Sequence, residues 1–414
     1  MTAPRTKPFS LLIKPAGADC NLRCAYCFYL EKAALYPDNV RHRMSDEVLE
    51  RLVASYMATP QPQYAFGWQG GEPTLMGVDF FRKVTELQKK HGRPGAVVAN
   101  GLQTNGTLLD DPFAAHLAAY QFLLGVSVDG PADLHDPNRV TADGRPTHAR
   151  VQEGLAALRR NKVEFNILTL VNALNSRHPG RVYQGLAADA HLFHQYIPCV
   201  EFDRAGRPMP FSVEPGAWGA FLCAIFDLWY ASDTRRVSVR LFDSILFKLV
   251  NGVANVCHMG RDCRQYFMVE HNGDVYPCDF FAEPDLKLGN ILHNTWEELL
   301  ASPVYANFGA CKATWNPACT ACRWLDLCAG DCLKHRYAGS RDPRRLSYLC
   351  EGWKVFYAHT HERFLKLADQ IRRDRIQQNS LFEQAAAGPA AAVGRNTACP
   401  CGSGKKYKAC CGKR

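Results

Sequence analysis

The placement of cysteine constrains this chain more than any other feature. Of 18 cysteines, three lie at 20, 24 and 27, two at 199 and 223, nine between 257 and 350, and four at 399, 401, 410 and 411. At about 4% of 414 residues they fall below the roughly 8–10% of a small secreted disulfide scaffold. A chain of this length buries a core without covalent staples. In a reducing compartment, thiols gathered in blocks point to metal ligation rather than disulfides. The opening residues 1–20 lack an apolar run of signal-peptide length, and no stretch approaches the roughly 20 apolar residues of a membrane-spanning helix. A cytoplasmic protein with no membrane partner is expected.

The net charge of +9 raises the question of a nucleic-acid partner. Six of the 49 Lys and Arg lie between 395 and 414, where there is no acid, so the remainder carries only +3. A nearly neutral body with a basic tail offers neither a groove nor a stacking platform for nucleic acid.

The stretch up to about residue 200 alternates short apolar runs with amphipathic segments. Phe9–Lys14, Tyr64–Gln69, Ala96–Gln103, Phe122–Val128, Val163–Val171 and Leu192–Pro198 read as strands. Helical patterns begin near Ser45, with Asp46 and Glu47 in the first turn, and recur at 78–91, 112–120, 147–161 and 179–188. Six βα repeats predict an α/β fold with a parallel sheet and right-handed crossovers, an open partial (β/α)6 barrel with active groups on the loops after the strands. Residues 215–250 turn helical, a loop-rich metal region with short strands at Gln265–Glu270 and Asp274–Pro277 follows, and 351–374 form a charged helix. The expected domains are a barrel over 1–235, a cysteine-rich domain over 236–375, a Gln- and Ala-rich linker over 376–394 and a small tail over 395–414.

Cys20-x3-Cys24-x2-Cys27 follows the first strand. A cubane iron–sulfur cluster wants four ligands, so a loop with three leaves one iron open to a small molecule. The competing reading is a zinc knuckle completed by a distant His or Cys. This spacing, Tyr26 before the third cysteine, and Gly-Gly-Glu-Pro at 70–73 after the second strand resemble the radical S-adenosylmethionine (SAM) superfamily. Gly70 and Gly71 let backbone approach a ligand, and Glu72 can accept from an ammonium such as the methionyl amine. The resemblance implies that the open iron chelates the methionyl amine and carboxylate. One electron then yields a 5′-deoxyadenosyl radical able to take hydrogen from carbon, chemistry that belongs to the cofactor. Gln-Thr-Asn-Gly at 103–106 and Ser-Val-Asp-Gly at 127–130 resemble further contact loops, though βα turns explain any one of these residues as well.

Cys257, Cys263 and Cys278, with Cys319, Cys322, Cys328, Cys332 and Cys350, are eight thiols. They saturate two further cubanes or two zinc ribbons equally well. Beside the first block, the layout resembles the SPASM extension of peptide-modifying radical enzymes, which implies interleaved ligand sets: Cys257, Cys263, Cys278 and Cys332 for one cluster, and Cys319, Cys322, Cys328 and Cys350 for the other. Cys311 lies outside both sets, and Cys199 and Cys223 read as buried small hydrophobes.

From about residue 8 to 370 the chain is very similar to the anaerobic sulfatase-maturating enzymes, beginning with the run from Phe9 to Lys32. That family oxidises the Cys or Ser of a sulfatase's Cys/Ser-x-Pro-x-Arg motif to Cα-formylglycine without oxygen. The resemblance implies three [4Fe-4S] clusters, SAM, an unfolded or nascent sulfatase polypeptide as substrate, and an electron donor such as flavodoxin or ferredoxin. In the family's scheme hydrogen leaves the substrate Cβ, a carboxylate takes the thiol or hydroxyl proton, an electron leaves through a cluster, and water converts a thioaldehyde to the aldehyde. The matching carboxylate is Asp279 in Tyr-Pro-Cys-Asp-Phe, where a turn aspartate capping backbone amides is the plainer reading. The SAM contacts fall by position on Tyr26, Gly71, Ser127, Arg139 and Ile197. Related twin-cluster enzymes that cross-link peptides by thioethers remain an alternative, as does a non-catalytic electron-transfer protein.

Cys399-x-Cys401-x8-Cys410-Cys411, set among basic residues, resembles the SEC-C module. Four thiolates in so short a segment imply a closed structural zinc site, and the basic side chains point to docking on an acidic partner, the ribosome or a nascent sulfatase.

Overall fold

The computed structural model describes residues 8–37, 41–386 and 394–413, the side chains of 379–386 excepted. Six strands, β1 (Ser10–Lys14), β2 (Gln63–Trp68), β3 (Val97–Thr104), β4 (Leu123–Ser127), β5 (Phe165–Val171) and β6 (Phe193–Pro198), pair in parallel in chain order. Crossovers run through α1 (Asp46–Met57), α2 (Gly77–His91), α3 (Asp111–Ala119), α4 (His148–Arg160) and α5 (Pro179–Ala188). The expected alternation is therefore present, with strand ends shifted by a residue or two.

Local chemistry sets the helix starts. Ser45 Oγ accepts from Val48 N at 3.2 Å and opens α1, and Asp110 accepts from Phe113 N at 2.9 Å ahead of α3. In α1, Leu49, Leu52, Val53 and Tyr56 recur at helical spacing, and all are buried against the sheet.

The sheet does not stop at six strands. Its order is β10-β9-β8-β1-β2-β3-β4-β5-β6-β7, where β7 is Ser238–Val239, β8 Tyr266–Glu270, β9 Asp274–Tyr276 and β10 Gly289–Asn290. β8 lies parallel to β1, with Ser10 opposite Tyr266 and Lys14 opposite Glu270. The short strands expected inside a loop-rich region thus extend the barrel sheet. The physical reason lies in their composition: Phe267, Met268 and Val269 are wholly buried, an apolar run suited to a strand covered on both faces. One sheet therefore carries both cysteine regions, and the register fixes their separation.

Helices α6 (Pro215–Ser232) and α7 (Arg240–Asn251) pack against α8 (Cys350–Ala386) through Phe226–Phe364, Phe242–Phe356 and Trp218–Trp353 ring contacts. α8 continues beyond the expected charged helix into the stretch read as a linker, because Gln, Arg, Leu and Ala all favour helix. The rest of that stretch, 387–393, lies outside the described residues. Among the described residues no helix is long and apolar enough to cross a membrane.

Candidate active site

At the carboxyl ends of the strands lies a cavity of about 770 Å³. Cys20, Cys24 and Cys27 line it from the loop after β1, while Cys257, Asp279 and Cys332 line it from the later region. Tyr26, Gly70, Gly71, Ser127, Arg139 and Ile197 also face it. The loops after β1, β2, β4 and β6 thus converge, as the mouth of a parallel barrel requires.

The first cysteine loop is held from two sides. Arg23 N and Ala25 N donate to Val140 O and Asn138 O, which ties the loop to the segment bearing Arg139. On the other side, Gly71 N donates to Gly17 O at 2.8 Å and Glu72 N to Asp19 O at 2.7 Å. A Cβ on Gly71 would sit 2.0 Å from Asp19 O, and Gly70 has φ +133°, so both positions require glycine.

Glu72 sits behind the glycine loop. It is wholly buried and does not line the cavity. One carboxylate oxygen accepts from Thr74 N, Thr74 Oγ1 and Thr104 Oγ1, and the other accepts from Asn105 N at 2.7 Å. Through both oxygens it joins the loops after β2 and β3. Burial works to raise its carboxyl above the usual range, opposed by these donors.

Sequence reasoning passed over a second buried knot. Asp129, with no exposure, accepts from the Tyr26 hydroxyl, from Arg139 Nε at 3.1 Å and from Leu170 N at 3.0 Å. The Arg139 guanidinium lies 5.4 Å from the Tyr26 ring centroid. Burial opposes charge on Arg139, but Asp129 overcomes it and holds the guanidinium firmly protonated. The signal was available in Ser-Val-Asp-Gly, whose Asp is the knot's centre.

Asp279 Oδ2 accepts from Lys14 Nζ at 3.4 Å and Gln69 Nε2 at 3.2 Å, and its Oδ1 accepts from Phe280 N at 3.1 Å. Lys14 is nearly inaccessible and lies 4.5 Å from the centroid of Tyr29, whose hydroxyl donates to Glu270. Neither Lys14 nor Gln69 stands out in the sequence. Both are strand-end residues that meet Asp279 only because β8 pairs with β1.

The remaining thiols lie in two neighbourhoods. Cys332 interacts electrostatically with Cys257 and Cys263, and Cys278 with Cys332. Cys319, Cys322, Cys328 and Cys350 together line a separate cavity of about 40 Å³, walled by Trp324, Trp353 and Tyr357. Burial pushes the thiols of Cys20, Cys263 and Cys328 up to about 12 and that of Cys24 to about 11. Sulfur so placed becomes thiolate when a metal centre displaces the proton. The Tyr357 hydroxyl and Trp353 Nε1 are buried at the smaller cavity without a protein partner, as donors toward cluster sulfur would be. Cys311 packs with Cys263 and Cys278 against Phe281, Phe308 and Leu333. Cys199 is buried yet borders the large cavity, and Cys223 is half-buried. In the tail the sulfurs of Cys399, Cys401, Cys410 and Cys411 lie within 4.8 Å of one another.

Comparison with known families agrees with this layout. Residues 15–183 match the radical SAM superfamily, 257–323 the SPASM iron–sulfur cluster-binding domain, and 395–413 the SEC-C motif. The fold and its thiol loop are those of a radical SAM enzyme. The serine-type anaerobic sulfatase-maturating enzyme of Bacteroides thetaiotaomicron is 39% identical over 376 residues, covering 86% of this chain and 90% of its own. The cysteine-type enzyme of Clostridium perfringens is 36% identical over 369 residues, covering 88% and 100%. The solved structure of native anSMEcpe with bound AdoMet and Kp18Cys peptide has a TM-score of 0.82 at 36% identity, covering 88% of this chain and 100% of its own. The chain belongs to the anaerobic sulfatase-maturating enzymes.

Proposed function

We propose that this enzyme oxidises the Cys or Ser of a Cys/Ser-x-Pro-x-Arg motif in a sulfatase polypeptide to Cα-formylglycine, without oxygen. The observation that carries the reading is a single cavity faced by the three-thiol loop and by Asp279. Relatives of both serine and cysteine type share the fold, and a relative's structure holds a peptide together with AdoMet.

Cys20, Cys24 and Cys27 hold one [4Fe-4S] cluster. Cys257, Cys263, Cys278 and Cys332 hold a second, and Cys319, Cys322, Cys328 and Cys350 a third. When bound, SAM and the first cluster supply hydrogen-atom abstraction, and the two fully ligated clusters supply one-electron acceptance. The backbone at Gly70 and Gly71 cradles the methionyl end of SAM, with Glu72 fixing the loop from behind. Tyr26, Ser127, Arg139 and Ile197 complete the SAM pocket, with Asp129 fixing Tyr26 and Arg139.

Asp279 takes the thiol or hydroxyl proton from the substrate. Lys14 and Gln69 both bind its Oδ2, so the carboxylate presents one orientation to the cavity. A base beside the thiol set of Cys257 and Cys332 suits an oxidation, since the proton leaves the sulfur or oxygen borne by the same β carbon whose radical gives up the electron. A flavodoxin or ferredoxin serves as electron donor. The tail thiols hold zinc, and the tail docks on the ribosome or a nascent sulfatase. Residues 1–235, 236–375 and 395–414 act as barrel, cluster domain and zinc module, joined to the last by 376–394.

Anaerobic reconstitution with iron and sulfide, followed by SAM, reductant and a Cys-x-Pro-x-Arg peptide, tests the assignment by mass spectrometry. Formylglycine appears as sulfur and two hydrogens lost with one oxygen gained. Loss of two hydrogens alone that persists on standing in water, where a thioaldehyde would hydrolyse, would identify a cross-link and overturn the reading.

A further inference from the structure

Near both thiol sets lie two buried basic side chains that make no direct ion pair with a carboxylate among the described residues. Lys312, 1% exposed, donates Nζ to three main-chain carbonyls, His258 O at 3.0 Å, Ala329 O at 2.7 Å and Asp331 O at 2.7 Å. Arg336, 2% exposed, donates only to carbonyls, including Gly330 O at 2.6 Å, Ala329 O at 3.0 Å and Asp331 O at 3.2 Å. The two side chains share the oxygens of Ala329 and Asp331, so like charges are held close together. The Asp331 carboxylate is turned elsewhere, accepting from Ser347 Oγ at 2.6 Å and pairing with His335 Nδ1 at 2.8 Å.

The backbone supplying these oxygens is itself unusual. Ala329, Gly330 and Asp331 have φ of +48°, +70° and +61°, three successive residues in left-handed conformation, two of them not glycine. This strained loop joins Cys328 of one thiol set directly to Cys332 of the other. Its conformation aims consecutive carbonyls at the two cations.

Buried like charges without an anion are unfavourable, so a compensating negative charge belongs nearby. The thiol sets supply it, since four thiolates outweigh an iron–sulfide core and leave each cluster anionic. Lys312 acts on Cys257 and Cys263 of one set and Cys328 of the other, and Arg336 on Cys263 and Cys319. Resting on the cluster assignment above, we propose that Lys312 and Arg336 form a shared cationic bridge that favours the reduced state of both auxiliary clusters and keeps them competent to take and pass on an electron. These are positioning residues, acting on the substrate only through the clusters.

The test is potentiometry followed by electron paramagnetic resonance on the full-length, reconstituted chain with Cys20, Cys24 and Cys27 replaced by Ala, which leaves only the auxiliary clusters. Iron content and the resonance signals first establish that clusters are present. Their absence from this parent would defeat the cluster assignment itself and, with it, this proposal. In Lys312→Met with iron retained, the auxiliary reduction equilibrium shifts at least tenfold toward the oxidised state, about 59 mV for one electron. Full iron with unchanged potentials would overturn the bridge while leaving the assignment intact. Should Lys312→Met fail to hold iron, Lys312→Arg decides. Iron and potentials near those of the parent uphold the role of charge, and loss of either shows that the position serves packing and overturns it.

Discussion

The first cysteine loop and the group formed by Cys319, Cys322, Cys328 and Cys350 use the same ligand atom in opposite settings. The loop offers three thiols at the rim of a large cavity, beside backbone that glycine keeps open. The later group offers four thiols around a cavity of about 40 Å³, lined by Trp324, Trp353 and Tyr357. Ligand count and cavity size differ together. An open coordination position is useful only where there is room for a substrate to reach it, and a saturated centre needs no such room. On the proposed function, the difference in room and ligand count matches a division of chemistry and electron transfer between separate thiol groups.

Removing a ligand from each group breaks this comparison most severely. Cys24→Ala should abolish 5′-deoxyadenosine formation altogether, measured chromatographically under reducing anaerobic conditions. Cys328→Ala should spare that cleavage and lose peptide product. Equal loss of cleavage in both variants would show that the two groups are not functionally separate.

Asp279→Asn sharpens the comparison at the point where the regions meet. General base catalysis contributes about 10²–10⁴-fold, so product formation should fall by that order while iron content and abortive SAM cleavage persist. Wild-type product formation would remove Asp279 from the base role.

How the two regions meet is also where sequence reading reached its limit. The six barrel strands were legible because apolar runs, amphipathic helices and caps such as Ser45 are local signals. The thiol groups were legible by spacing and resemblance. Pairing of β8 with β1 was not, because register between strands some 250 residues apart leaves no local trace. Lys14 and Gln69 were missed for that reason, as their proximity to Asp279 exists only after the pairing forms. Glu72 was legible as a motif residue, but its partners Thr104 and Asn105 lie on another loop, so the sequence could not show these contacts.

A smaller effect separates the barrel scaffold from the thiol regions. His194, buried in β6, donates Nε2–H to His191 O at 2.8 Å and accepts at Nδ1 from the Tyr196 hydroxyl at 3.0 Å. Burial pushes its imidazolium from 6.5 down to about 4. Below pH 6.5 the unfolded chain takes up a proton that the folded chain refuses until about 4, so stability falls as the solution is acidified through that window. The loss is about 1 kcal/mol by pH 5.5. Urea unfolding at pH 7.5 and 5.5 should show it, and His194→Gln should lessen the pH dependence by that amount. An unchanged dependence in the variant would place the titration elsewhere.

The smallest effect is expected at the tail, where a third thiol group sharpens the contrast by lacking a scaffold of its own. Its four sulfurs lie within 4.8 Å, but the local secondary structure is one bridge between Ala398 and Lys406 and a single turn at Tyr407–Ala409. Apart from Cys399 and the partly covered Tyr407, Cys410 and Gly412, its described residues 394–413 are exposed. Such a segment has too little apolar surface to fold by burial, so its shape depends on the metal it is proposed to hold. The barrel groups keep their places through sheet pairing and a continuous core that do not involve it. Deleting 395–414 should therefore leave turnover of a short Cys-x-Pro-x-Arg peptide unchanged within error. If the tail serves docking, the same deletion slows modification of a full-length unfolded sulfatase, and added salt narrows the gap between the two forms because the contact is electrostatic. Loss of activity on the short peptide would mean that the tail belongs to the catalytic unit after all.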